Sequence, residues 1–145
     1  LVLRGDDLNA GGQSEHALAM YGRAIAWDGA NEIAVDRVAF AEAISHRRPL
    51  EEDAIALVTR YLLHSPKSAM LLMDRALAQQ ILRRYPEAEA DFLRAGRIAP
   101  NARTLTFAGF AALHAGNRRA ARAIFLAAER LDKKFIPARH GLAQV

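Results

Sequence analysis

Apolar residues recur along this chain at steps of three and four, the spacing that lines one face of a helix and not the two sides of a strand. The periodic stretches predict helices near 1–10, 14–28, 32–46, 50–64, 67–83, 86–98, 102–115, 118–131 and 136–145. The residues between them agree. Pro49, Pro66, Pro86, Pro100 and Pro137 all fall between periodic stretches or at their edges, where a missing N–H and a fixed φ cost least. Gly11-Gly12, Asn31, Asn101 and Gly116-Asn117 are residue types that end a helix with positive φ or cap the next one with a side-chain oxygen.

One spacing repeats in the even-numbered helices: Ala17, Tyr21, Ala24 and Trp27; Ala54, Val58, Tyr61 and His64; Ala88, Phe92, Ala95 and Ile98; Ala121, Phe125, Ala128 and Leu131. Every set steps by 4, 3 and 3 residues, and successive sets are displaced by 37, 34 and 33. The pattern predicts a buried column in which small residues let helices approach closely while Tyr21, Phe92 and Phe125 fill the gaps between units.

A period near 34 built from helix, turn and helix resembles the tetratricopeptide repeat, and the resemblance runs from Leu1 to Val145. Its marks are a small residue in each first helix (Gly5, Ala39, Ala76, Gly109), turn glycines Gly12 and Gly116, and terminal prolines Pro66 and Pro100. Two departures stand out. The second unit is 37 residues long, its three extra residues lying around His46-Arg47-Arg48-Pro49, and Gly29 replaces the first terminal proline. The resemblance implies an all-α, right-handed α-solenoid of about four helix-turn-helix repeats, near 1–31, 32–68, 69–101 and 102–135, plus a trailing helix over 136–145. Leu142 and Ala143 would then cover the last apolar face. A single hairpin of this size cannot bury enough surface to stand alone, whereas a stack can.

Composition supports the helical reading, since alanine occurs 31 times and Val, Ile and Thr together only 16 times. The longest run without Asp, Glu, Lys or Arg is 14 residues, Thr104 to Asn117, short of the roughly 18 to 20 that a bilayer-spanning helix needs. Cysteine is absent, which excludes disulfides, thiolate zinc sites and cysteine nucleophiles and leaves bacterial cytoplasm and periplasm equally open. A net charge of +4 without basic tracts argues against a nucleic-acid partner. The chain opens at Leu1 without Met or leader and closes on Val145 inside an apolar pattern, so it reads as a segment of a longer protein.

Candidate chemistry is sparse. Histidines 16, 46, 64, 114 and 140 form no His-x-x-x-His pair, so neither a metal nor another cofactor is expected. His64, standing in the apolar column, is expected to be packed. Phosphate-binding loops and the Gly-x-Ser-x-Gly elbow are missing, and serines 14, 45, 65 and 68 lie near helix ends as caps. Glu51-Glu52-Asp53 and Glu87-Ala88-Glu89 open helices, where carboxylates complement the dipole. An enzyme is not expected.

The resemblance also implies that the first helix of each pair lines a concave face. This places Val2, Asp6 and Asn9, then Ile33, Asp36, Phe40 and Ile44, then Met70, Met73, Leu77, Gln80 and Ile81, then Arg103, Thr106, Phe110, Leu113 and His114 on it. The partner-binding candidates are Asp6, Asn9, Asp36, Phe40, Met73, Leu77, Gln80, Arg103, Phe110 and His114. The Lys/Asn arrangement that clamps a C-terminal carboxylate in chaperone-binding relatives is not matched, since only Asn9 and Arg103 are of suitable type. A mostly apolar groove, with Phe40, Met73, Leu77 and Phe110 as one patch, fits an amphipathic helix or an extended apolar peptide. Its source would be another protein, a second copy, or the parent chain. Arginine pairs at 47-48, 83-84 and 118-119 fall at the turns within repeats, where they either form a basic edge or offset the dipole of the preceding helix. The expected function is a non-catalytic protein-binding scaffold. The alternatives are an envelope scaffold for exopolysaccharide export or outer-membrane assembly, and the docking arm of a larger enzyme.

Overall fold

A computed structural model describes all residues 1–145. It contains nine helices and no strand: α1 (Val2–Ala10), α2 (Ser14–Trp27), α3 (Glu32–Ala43), α4 (Arg48–Leu62), α5 (Ala69–Ile81), α6 (Tyr85–Ile98), α7 (Ala102–His114), α8 (Arg118–Leu131) and α9 (Ile136–Leu142). None is long and apolar enough to cross a membrane. Consecutive helices pack on one another as hairpins, and α3 also lies against α5, as α7 does against α9, so the odd-numbered helices form one wall of an α-solenoid and the even-numbered helices the other.

Local chemistry sets the helix ends. The side chains of Asn31, Ser68, Asn101 and Asn117 accept from the backbone N–H groups of Ala34, Leu71, Thr104 and Ala120 at 3.0, 3.3, 2.8 and 3.1 Å, each such cap being worth about 1 kcal/mol. Gly12 and Gly116 turn the chain in the left-handed region, with φ of 77° and 85°. In the other two hairpins His46 and Arg83 occupy that region at 55° and 59°, a conformation that costs a side-chain-bearing residue roughly 1 to 2 kcal/mol. This is why α3 stops at Ala43 and does not run to 46.

The three extra residues of the second repeat become an additional turn at the start of α4. Val58 is the eleventh residue of its helix, whereas Tyr21, Phe92 and Phe125 are each the eighth of theirs. Pro49 sits in that first turn, where no N–H is needed. At its other end α4 finishes at Leu62, so His64 is exposed in the following loop and not packed as expected.

The first two members of each column set are buried: Ala17 with Tyr21, Ala54 with Val58, Ala88 with Phe92 and Ala121 with Phe125. Ala24, Ala95 and Ala128 are buried as well. The fourth position is exposed in every set, Trp27 by 89%. Trp27, Ile98 and Leu131 are the last residues of their helices, where the chain is already leaving for the next repeat, so the column is one residue shorter than its spacing suggests. At the far end, α9 docks through buried Ala138 and Gly141; Leu142 is half-buried and Ala143 exposed, which moves the expected contact toward the start of that helix.

Close approach explains the small residues. A Cβ added to Gly109 of α7 or to Gly141 of α9 would overlap the Phe125 ring, and one on Gly5 would overlap Tyr21. Phe125 is thus gripped from two sides and cannot retreat. Gly109→Ala is expected to destabilise the chain by about 1 to 3 kcal/mol, read as a lower thermal midpoint in far-ultraviolet dichroism; an unchanged midpoint would show that the ring has room to turn. A second tie lies at the junction of repeats two and three. There Arg75 of α5 binds Asp91 of α6 through Nε and Nη2 at 2.7 and 2.8 Å and reaches Thr59 of α4 at 3.0 Å.

Candidate functional site

The inner wall is built from α1, α3, α5 and α7. Ile33 and Phe40 of α3 and Ile44, its C-cap, recur at steps of seven and four, which is one helical face, and all three remain about half exposed, Phe40 by 46%. Beside them runs a chain of polar contacts that crosses three first helices. Asp6 Oδ1 accepts from the Tyr21 hydroxyl at 2.7 Å and from Arg37 Nε at 3.1 Å, and Arg37 Nη1 donates to Asp36 Oδ2 at 2.8 Å. Asp74 of α5 is the next carboxyl along this wall, and it and Asp36 act on each other's charge.

The electrostatics of this chain follow from burial. Asp6 is half-buried and is held below the usual carboxylate range by the Tyr21 hydroxyl and by Arg37. Tyr21 is raised in turn by burial and by the bond it gives Asp6. Asp74 is buried, and desolvation followed by the charge of Asp36 pushes it up to about 9. Asp36 is raised too, by burial against the opposing pull of Asp74's proton and of Arg37. Asp74 Oδ2 is buried with no hydrogen-bond donor of the protein on it, an environment that favours the protonated carboxyl over the carboxylate. Elsewhere on α3, burial and then the charge of Asp53 of α4 push Glu42 up to about 7.

The remaining expected residues divide. Met73 and Leu77 are half-buried and sink into the cores: Met73 packs among the groups around Leu72 and Phe92 and accepts a hydrogen bond from Thr104 at 3.4 Å, while Leu77 packs on those around Phe92 and Ala78. Phe110 lies half-buried, edge-on to Phe125 with centroids 5.0 Å apart. His114 is turned toward α6, stacked on Tyr85 at 5.1 Å and bonded to the Phe110 carbonyl oxygen at 2.7 Å. Asn9 is exposed and accepts from Ser14 at 3.4 Å, and Arg103 is exposed. Gln80 is half-buried, its Oε1 without a donor. Thr106 is buried and donates to the Ala102 carbonyl of its own helix, so it does not line the groove. Arg37 and Asp74 are inner-wall residues that hydrophobic periodicity does not pick out, although each directly follows a candidate position in sequence.

The arginine pairs stand at the starts of second helices: Arg47 and Arg84 precede α4 and α6, and Arg48 and Arg118 open α4 and α8. Arg83 and Arg84 also directly follow α5, their backbone N–H groups donating to the Gln80 and Gln79 carbonyl oxygens, so that pair lies at the C-terminal end of the preceding helix as well. Arg84 binds Glu52 at 2.6 Å and Arg118 donates to the Gln144 carbonyl at 2.8 Å, which interrupts any continuous basic edge.

No protein-family profile and no curated protein matches the sequence, but solved structures do match the fold. MamA aligns with a TM-score of 0.80 at 18% identity, over 97% of this chain and 81% of that one. A tetratricopeptide repeat protein from Parabacteroides merdae aligns at 0.78 and 20% identity over 98% of this chain, which spans only 56% of that protein's length. The second tetratricopeptide repeat domain of human RPAP3, solved with the HSP70 peptide SGPTIEEVD, aligns at 0.62 and 23% identity over 73% of this chain and 96% of the domain. With its stacked hairpins and repeated small-residue column, the chain has the tetratricopeptide-repeat fold.

Proposed function

We propose that this chain is a non-catalytic scaffold that holds a segment of another protein against the inner wall formed by α1, α3, α5 and α7. The observation that carries this reading is the half-exposed face of Ile33, Phe40 and Ile44 beside the carboxylates of Asp6 and Asp36. Large apolar side chains grouped on one face of a folded chain serve as anchors for a partner. The polar neighbours set the partner's sign, because the carboxylates of Asp6 and Asp36 outnumber the one arginine, Arg37, between them. A segment that combines apolar anchors with a lysine or arginine suits this wall. An acidic segment does not, and the peptide bound by the RPAP3 domain, which ends in Glu-Glu-Val-Asp, marks the contrast.

Selection of displayed peptides on the immobilised chain tests this. Enriched sequences should pair apolar residues with lysine or arginine, and enrichment of acidic termini would refute the reading. Phe40→Ser together with Ile44→Ser should weaken the selected peptides by more than about tenfold, or 1.4 kcal/mol, with little change in thermal midpoint. Met73→Ser and Leu77→Ser, by contrast, should lower the midpoint, since those side chains belong to the core. If Arg83→Ala and Arg119→Ala abolish binding and added salt mimics them, recognition belongs to the basic turns instead. A second copy of the chain, detected by sedimentation at the same concentrations, would replace the foreign partner.

A further inference from the structure

The order of sizes in the packing column inverts in α4. The other second helices place an aromatic ring first and an alanine three residues on, as in Phe92 and Ala95, whereas α4 has Val58 and then Tyr61. Val58 is buried, but Tyr61 is too large for an alanine slot and lies half-buried, its hydroxyl donating to the Ala30 carbonyl oxygen at 2.6 Å. With α4 also ending early, at Leu62, the first two repeats do not close on each other. A cavity of about 510 Å³ remains between α2 and α4, with Ile25, Leu57 and Tyr61 among its walls and Gly29 at its edge.

That volume lies within the roughly 300 to 1,000 Å³ usual for small-ligand sites, which are apolar with a few placed polar groups. The charged and titratable groups on this lining are Arg60, His64 and the tyrosine itself; no carboxylate is among them. Arg60 and His64 are both exposed, and neither takes part in the ion pairs of the protein, whose cations are Arg37, Arg75 and Arg84. We propose that this cavity, on the wall of second helices and apart from the inner groove, binds a monocarboxylate with a medium-length apolar tail. The tail lies against Ile25, Leu57 and the Tyr61 ring, where its methylenes leave water. The carboxylate meets Arg60 and His64 at the mouth, where the guanidinium offers charge-assisted hydrogen bonds.

Calorimetric titration of the full chain with decanoate, below micelle formation, tests the proposal. One saturable site with a Kd under about 1 mM is expected. Decyltrimethylammonium, with the same tail and the opposite charge, should bind at least about tenfold more weakly, and Arg60→Glu should weaken decanoate by a similar factor. Gly29→Phe should plug the cavity. A Cβ at position 29 meets nothing closer than the Ile25 carbonyl oxygen at 3.9 Å, and helical dichroism checks that this variant folds. If it does not fold, the exposed Arg60→Glu carries the test. No saturable binding, equal binding of the ammonium compound, or full affinity in a folded Gly29→Phe protein overturns the proposal. So does a hold on N-acetyl-trileucine about tenfold tighter than on decanoate, which would assign the cavity to a polypeptide terminus.

Discussion

Asp91→Ala should lower the stability of the chain by about 3 to 5 kcal/mol, the range seen when one partner of a buried ion pair is removed. Both side chains are largely withdrawn from water, Arg75 at 16% exposure and Asp91 at 9%. The two parallel bonds from Nε and Nη2 leave the guanidinium only Thr59 once the carboxylate is gone. What is lost is therefore less the attraction of the pair than the means of burying a charge. The double replacement Arg75→Met with Asp91→Leu should recover most of the loss, because it removes the desolvation cost along with the bonds. Urea midpoints of the two single variants and the double variant decide this. Since Arg75 joins α4, α5 and α6, the single variant should also broaden the transition, as expected when a stacked array loses coupling between neighbouring repeats. A loss under about 1 kcal/mol for Asp91→Ala would place the pair with ordinary solvated surface bridges.

The repeat and its helices were readable because each level of the sequence agreed with the next. The bounds of α8 coincide with the expected 118–131, since Asn117 caps its start and the apolar steps end at Leu131. Where the reading failed, a longer-range constraint had overruled the local pattern. His64 fits the spacing of the column, but the extra turn at the front of α4 goes with an early end to that helix, which leaves His64 outside. The inner wall was harder to see for a different reason. Hydrophobic periodicity sorts positions by apolar character, so buried Asp36, Asp74 and Asp91 appear as interruptions or as solvated charges. One signal could have found the strongest of them. The sixteen-residue offset that sets Gly5 on Tyr21 and Gly109 on Phe125 also separates Arg75 from Asp91, so opposite charges at that offset could be read as partners across a hairpin.

The carboxyl pair of the inner wall should make the chain less stable as pH rises, the reverse of an ordinary salt-bridged acid. Asp74 stands at about 9 in the folded chain against 3.8 as its unperturbed value, and Asp36 is raised as well. The folded chain therefore holds protons that the unfolded chain has released. The resulting stability is complete below about pH 4, where both states are protonated, and is lost progressively as pH climbs toward 9, at up to about 1.4 kcal/mol per pH unit for each retained proton. Urea midpoints should accordingly fall between pH 5 and pH 9 by an amount equivalent to a few kcal/mol. Asp74→Asn removes the titrating proton but keeps a donor for Asp36, so its profile should be flatter and should cross above the parent at high pH. A variant as pH-dependent as the parent would show that Asp74 does not carry the dependence. The same titration bears on recognition. Ionisation of Asp74 adds a negative charge beside Asp36, so a lysine-bearing peptide held by the inner wall should bind more tightly as pH approaches 9. Asp74→Asn should abolish that gain while leaving the apolar face of Ile33, Phe40 and Ile44 intact.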